Sequence, residues 1–64
     1  MKITIVATKD IAGLFPIKAG EQIKVINGDN VKRIEADKKN IKIYFKNGLF
    51  EYYHTERVKI EMKF

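Results

Sequence analysis

Asn47-Gly48 lies between two runs of strand formers, Ile41–Lys46 and Leu49–Tyr53, and this pattern narrows the possible folds more than any other in the chain. Both turn residues tolerate positive φ, and such a dipeptide flanked by alternating apolar residues is a strong hairpin signal. A two-residue type I′ turn predicts paired residue numbers that sum to 95: Phe45 opposite Phe50, Ile43 opposite Tyr52, Tyr44 opposite Glu51 and Lys42 opposite Tyr53. One face of the hairpin is then Ile41, Ile43, Phe45, Phe50 and Tyr52; the other is Lys42, Tyr44, Lys46, Leu49, Glu51 and Tyr53. Slipping the pairing by one residue exchanges the faces of one strand relative to the other. The clean sorting of apolar from polar side chains therefore favours this register.

The same period of two runs through the rest of the chain. Lys2–Thr8 reads as a strand with Ile3, Ile5 and Ala7 inward, although Val6 interrupts its polar face. Lys9–Gly20, holding Gly13 and the only proline, Pro16, reads as a long loop. Glu21–Ile26 is a strand with Ile23 and Val25 on one face, and Asn27-Gly28-Asp29-Asn30 is a turn. Val31–Asp37 is too short for a stable helix and fits a short or bulged strand. Asp37-Lys38-Lys39-Asn40 and His54-Thr55-Glu56 are turns. Arg57–Lys63 alternates with Val58, Ile60 and Met62 inward, and Phe64 is placed to fold back as a lid.

Five or six short antiparallel strands in 64 residues point to one all-β domain closed into a small barrel, because an open sheet would leave unpaired edges. A chain of this size hides only roughly 60% of its unfolded surface and has little room for an internal cavity. It has no cysteine, so no disulfide can supplement the core, which points to a reducing, cytoplasmic setting or to extra burial against a partner. The apolar stretch Ile3–Ala7 is too short for a signal peptide, and no run approaches the length of a membrane span. The expectation is a soluble chain with no membrane partner.

The run Gly13-Leu14-Phe15-Pro16-Ile17-Lys18-Ala19-Gly20-Glu21-Gln22-Ile23-Lys24-Val25-Ile26 is similar to the segment of SH3 domains in which a long loop turns into the second strand. The later order of hairpin, short turn and final strand also resembles that family, implying a single SH3-like β-barrel over residues 1–64. The resemblance ends at the fold. Val6-Ala7-Thr8-Lys9-Asp10 lacks the tyrosines of the family's "A-L-Y-D-Y" start, Thr55-Glu56-Arg57-Val58 stands in place of "S-N-Y-V", and there is no tryptophan. No proline-peptide-binding residue carries over.

A nucleophile–base pair needs a Ser or Cys beside an oriented His, whereas this chain has neither Ser nor Cys and one His. His54 and Glu56 offer two metal ligands where three or four are needed, so His54 is read as a turn residue. The four glycines are scattered, with no phosphate-cradling spacing. The residues thus point to a non-enzymatic chain with no cofactor and no metal.

What remains is charge and aromatic surface. Lys32, Arg33, Lys38, Lys39, Lys42 and Lys46, set against Glu35 and Asp37, carry +4 of the net +5. Ile, Lys, Asn, Tyr and Phe make up 32 of the 64 residues, all types with A/T-rich codons, so lysine number alone carries less weight than lysine position. Lys42, Tyr44, Lys46 and Tyr53 share the outward face of the hairpin in the 95 register. Lysines beside exposed aromatics suit nucleic acid or another polyanion. Lysines also guard strand edges, and Tyr–Lys pairs stabilise sheets without any ligand. With only Arg33 and Arg57, base-specific readout is disfavoured. The competing expectation is a protein-interaction module, an adaptor or a phage-type inhibitor, anchored by Phe15, Tyr44, Leu49 and Tyr53. A third is self-association through Leu49 and an uncovered strand edge.

Overall fold

A computed structural model describes every residue from Met1 to Phe64. The chain is all-β, with six strands: β1 Lys2–Ala7, β2 Gln22–Asn27, β3 Val31–Ala36, β4 Asn40–Phe45, β5 Phe50–His54 and β6 Val58–Lys63. They form two three-stranded antiparallel sheets, ordered β2-β1-β6 and β3-β4-β5. No strand ladder closes the two sheets into one barrel. The chain passes between them at two corners, a 3₁₀ turn at Gly28–Asn30 and a tight turn after His54. No helix is long and apolar enough to cross a membrane.

Residues opposite one another in an antiparallel pair project to the same side of the sheet. In the first sheet Ile3 lies between Ile26 and Met62, Ile5 is opposite Ile60, and Ala7 is opposite Val58. In the second sheet Ile34 faces Ile43, and Ala36 faces Ile41, which in turn faces Tyr53. The two inner faces meet in a core of Ile3, Ile5, Ile26, Ile41, Ile43 and Val58, edged by Ile23, Val31, Ile34, Phe45, Tyr53 and Ile60. Thr4 and Val6, on the outer side of β1, are also buried. As the central strand, β1 has in-register neighbours on both flanks, among them Val25, Lys59 and Glu61.

The strand positions agree closely with expectation, but two registers do not. In the β4–β5 hairpin the paired numbers sum to 94, not 95: Ile41 pairs with Tyr53, Lys42 with Tyr52, Ile43 with Glu51 and Tyr44 with Phe50. The cause is the turn. Gly48 N–H donates to the Phe45 carbonyl, Phe45 N–H donates to Leu49, and Asn47 Oδ1 accepts from Leu49 N–H. Gly48 has φ +90°, while no non-glycine residue has positive φ. A type I′ turn needs positive φ at both central residues; a three-residue loop with glycine alone in the left-handed region is the alternative, and the chain adopts it. The extra loop residue turns Phe50 and Tyr52 outward and Glu51 and Tyr53 inward.

The second difference lies in β2. A bulge at Ile23 shifts its pairing between Ile5 and Val6, so Val25 pairs with Thr4 on the outer side and is 46% exposed, while Lys24 lies opposite the core residue Ile5. Ile23, which packs against the core, and Val25 therefore do not share one face as expected. Val31–Ala36 is a bulged strand as expected, its irregularity falling between Val31 and Arg33. Phe64 does not fold back: it is fully exposed. Met62 is also only partly covered.

The long loop after β1 is pinned at its base. Ile11 and Ile17 form a two-way backbone bridge, and Asp10 Oδ1 accepts from Ala19 N–H at 2.8 Å. At the tip, Leu14 and Phe15 project almost fully into solvent.

Candidate binding face of the second sheet

The outward side of the second sheet is a grid of three cross-strand rows. Arg33, Tyr44 and Phe50 form the first, Glu35, Lys42 and Tyr52 the second, and Asn40 with His54 the third. The Arg33 guanidinium lies over the Tyr44 ring at 4.0 Å from its centroid, and Arg33 Nε donates to Glu35 at 3.1 Å. Tyr44 packs beside Phe50 with ring centroids 5.9 Å apart, tilted by 34°. Lys42 Nζ is 6.0 Å from the centroid of the Tyr52 ring, and Tyr52 meets His54 edge to face at 5.5 Å. Neither aromatic pair is stacked face to face. Phe50 is 59% and Tyr52 47% exposed, so both rings remain open to solvent.

Basic side chains bracket this grid. Lys38 and Lys39 occupy the turn before β4, and Lys46 the turn after it. Lys32 lies at the β3 bulge, near the Lys46 end, where Lys46 N–H donates to the Asn30 carbonyl. The nearby carboxylates are already engaged. Glu35 is paired with Arg33, while Asp37 Oδ1 accepts from the N–H groups of Lys39 and Asn40 at 2.8 and 2.7 Å. Those two backbone bonds, more than the positive charge of Lys42 and Lys39, hold the Asp37 carboxyl below its ordinary pKa. Thr55 Oγ1 donates to the Lys38 carbonyl and further fixes this turn. An open depression of about 300 Å³ lies here, between Tyr52, Lys42, Asn40 and the turn.

Of the residues singled out in the sequence, Arg33, Lys42 and Tyr44 are brought together on one face, with Lys32, Lys38, Lys39 and Lys46 at its two ends. Tyr53 is not among them. It packs against the core, and its Oη donates to Glu51 Oε1 at 2.9 Å. Burial first, then the hydrogen bond to the carboxylate and its negative charge, push the Tyr53 hydroxyl up to about 12. Leu49, in the same turn as Lys46, is 66% exposed. His54 ends β5, and its backbone carbonyl accepts from Arg57 N–H. The residues that sequence reasoning missed are Phe50 and Tyr52, which the 95 register assigned to the core. No local signal marks them: alternation along β5 puts Glu51 on the side opposite Phe50 and Tyr52, and a charged side chain argues for the outward side. In the fold Glu51 turns inward and meets Lys24 of the facing sheet.

That inward pair is short: Lys24 Nζ lies 2.6 Å from Glu51 Oε1, joining β2 of one sheet to β5 of the other. Glu51 Oε2 is buried without a donor in reach. No group of three or more His, Asp or Glu side chains converges to hold a metal ion. Comparison with protein-family models, curated proteins and solved structures returns no significant match for this chain.

Proposed function

We propose that this chain is a non-enzymatic binding module that contacts nucleic acid or another polyanion through the outer face of its second sheet. The observation carrying this reading is the combination on one face of open aromatic rings, Phe50 and Tyr52, with Arg33 and Lys42, and lysines at both ends. Cations tracking phosphates give affinity, and rings beside them give bases something to stack on. Two rings turned outward beside a carboxylate turned inward on the same strand depart from the hydrophobic pattern in the way expected of a functional surface. The strand order, with a long loop between β1 and β2 and short turns thereafter, supports an SH3-like arrangement in which the two sheets are halves of a partly open barrel.

Binding to heparin or to mixed nucleic acid tests the reading. The logarithm of the affinity should fall linearly with the logarithm of salt concentration. Absence of any binding at low salt defeats it.

A second reading is a protein-interaction module, favoured by Leu14 and Phe15 at 95% and 89% exposure on a loop whose base is held in place. Apolar and aromatic anchors of this kind dominate interface hot spots. A salt-resistant complex lost in the Leu14→Ala/Phe15→Ala variant would support it, whereas an undiminished complex excludes this loop. The Tyr44/Tyr53 pair is a poor probe, because Tyr53 belongs to the core edge.

A further inference from the structure

Resting on the polyanion reading, we infer that the ligand of the second-sheet face is single-stranded nucleic acid, with neighbouring bases stacked on Phe50 and Tyr52 and little dependence on sequence. Three features of the face select this ligand over a duplex.

The first is spacing. Phe50 and Tyr52 are two residues apart on β5 and project to the same side. At about 3.3 Å per residue their backbone positions are about 6.6 Å apart. Successive bases of one duplex strand rise by about 3.4 Å, roughly half that distance. Neighbouring bases reach both rings only when the strand is stretched and unstacked, which a single strand can do at little cost.

The second is shape. Reading duplex DNA in its major groove takes a protruding helix or two-stranded ribbon. Here the rings sit on β5, the edge strand of a three-stranded face that continues through β4 to β3. The β4 strand, six residues long, separates the lysines of its two turns by about 20 Å. At the stretched spacing that span accommodates about three or four nucleotides.

The third is the state of the cations. Arg33 is the only arginine on the face, and it is committed to the Tyr44 ring and to Glu35. Its Nε is taken by Glu35, and turning its remaining Nη groups to a guanine edge, the commonest specific contact, gives up the contact with the Tyr44 ring. Lys32, Lys38, Lys39, Lys42 and Lys46 act as point charges for phosphates without distinguishing bases. Stacking is itself tolerant of sequence, because every base has a π-face.

The outer face of the first sheet is an internal control. Its positions are Lys2, Thr4 and Val6 on β1, Val25 and Asn27 on β2, and Lys59, Glu61 and Lys63 on β6. It has three lysines but no aromatic ring. It also lacks the lysines that bracket the second face, so the ring substitutions below, which leave charge unchanged, separate stacking from charge.

The test is fluorescence anisotropy of a labelled oligothymidylate of about 12 nucleotides, within the usual site sizes of single-strand binders, against a duplex of equal length. Both are titrated with the intact chain and with Phe50→Ala/Tyr52→Ala. Both residues are solvent-exposed, and circular dichroism checks that the variant keeps its sheet. The expected result is tighter binding to the single strand, and a loss of at least about 30-fold in the variant, at about 1 kcal/mol or more per stacked base. The salt slope stays unchanged in that variant and becomes shallower in Lys38→Ala/Lys39→Ala. Phe50→Tyr and Tyr52→Phe keep the rings and should retain affinity, which guards against a folding artefact. Equal binding of both oligonucleotides, unaffected by loss of the rings, overturns this inference and leaves the polyanion reading standing. Failure to bind nucleic acid or heparin at low salt overturns both, and leaves the exposed rings to a protein partner.

Discussion

The two sheets have the same number of strands, the same antiparallel pairing and equivalent isoleucine-rich inner faces, yet their outer faces are built differently. Across the first, the central positions Thr4 and Val6 are buried although they point away from the core. Their flanks carry aliphatic or long charged side chains, and Lys59 pairs with Glu61 at 3.5 Å. Long lysine and glutamate stems can cover apolar surface while their charged ends stay in water. Across the second, the side chains best able to exclude water, Phe50 and Tyr52, remain exposed. Along the strands the formal charges differ little, with Lys2, Lys59, Lys63 and Glu61 on one face and Arg33, Lys42 and Glu35 on the other, but Lys32, Lys38, Lys39 and Lys46 bracket the second face alone. Open aromatic rings together with these bracketing lysines tell the faces apart. A face whose outer residues are needed for the fold is not free to evolve toward a ligand, while a face whose outer residues are dispensable is.

The largest effects should come where the sheets are alike. Ile5 and Ile43 are both fully buried, each on the central strand of its sheet. Replacing either by alanine should cost about 2–5 kcal/mol in urea unfolding. A much smaller loss for one of them would show that the sheets do not share a single core. The next effect separates the sheets. Val6→Ala, on the outer side of the first, should destabilise by about 1–2 kcal/mol, at about 0.8 kcal/mol per methylene-sized group removed. Phe50→Ala, on the outer side of the second, should cost less than about 1 kcal/mol, since surface positions usually tolerate change. If the order reverses, Phe50 is a structural residue and the contrast between the faces collapses.

The smallest effect concerns the inward side of β5. Tyr53 keeps its proton up to about 12 in the fold against 10.0 in the unfolded chain, so the folded state favours the neutral form. The resulting stabilisation is complete below pH 10 and is lost as pH rises from there through 12. Tyr53→Phe should remove this pH-dependent component. In an absorbance titration, the intact chain should show a tyrosinate transition near pH 12 that the variant lacks. A variant with an identical alkaline profile would mean that Tyr53 is not shielded.

Much of this architecture is legible from local patterns. All six strands lie within a residue or two of where alternation and turn chemistry predict them, including the bulged Val31–Ala36 strand and the Asp37–Asn40 turn. What local patterns do not contain is the choice between two turns that the same Asn47-Gly48 can make. In the 95 register the hairpin sorts into an apolar and a polar face, which looks correct for an isolated unit. The chain instead uses Lys46, Asn47 and Gly48 as a three-residue loop and ties Lys46 N–H to the Asn30 carbonyl, a contact 16 positions away in sequence. In β2 the register likewise puts Lys24 on the inner side of its sheet, opposite Ile5 but with half its side chain in solvent. Each register alone turns a charged residue inward; together they place two opposite charges within reach of each other. Neither could be found by reading one strand at a time. The candidate face was therefore half visible. Its lysines, Arg33 and Tyr44 could be read from position and charge, while its two open rings depended on a register set by distant parts of the chain.

The Lys24–Glu51 contact has one more consequence. It ties together two registers that are otherwise set independently, one by a bulge and one by a loop, and so makes positions 24 and 51 a single unit of inheritance. Loss of Lys24 leaves the partly buried Glu51 carboxylate without its counter-charge, whereas a reciprocal exchange, Lys24→Glu with Glu51→Lys, restores the attraction. Among descendants of this chain, the two positions should covary as an opposite-charge pair or turn apolar together. That would be a long-range signature of the outward-facing rings, written in residues that never touch the ligand.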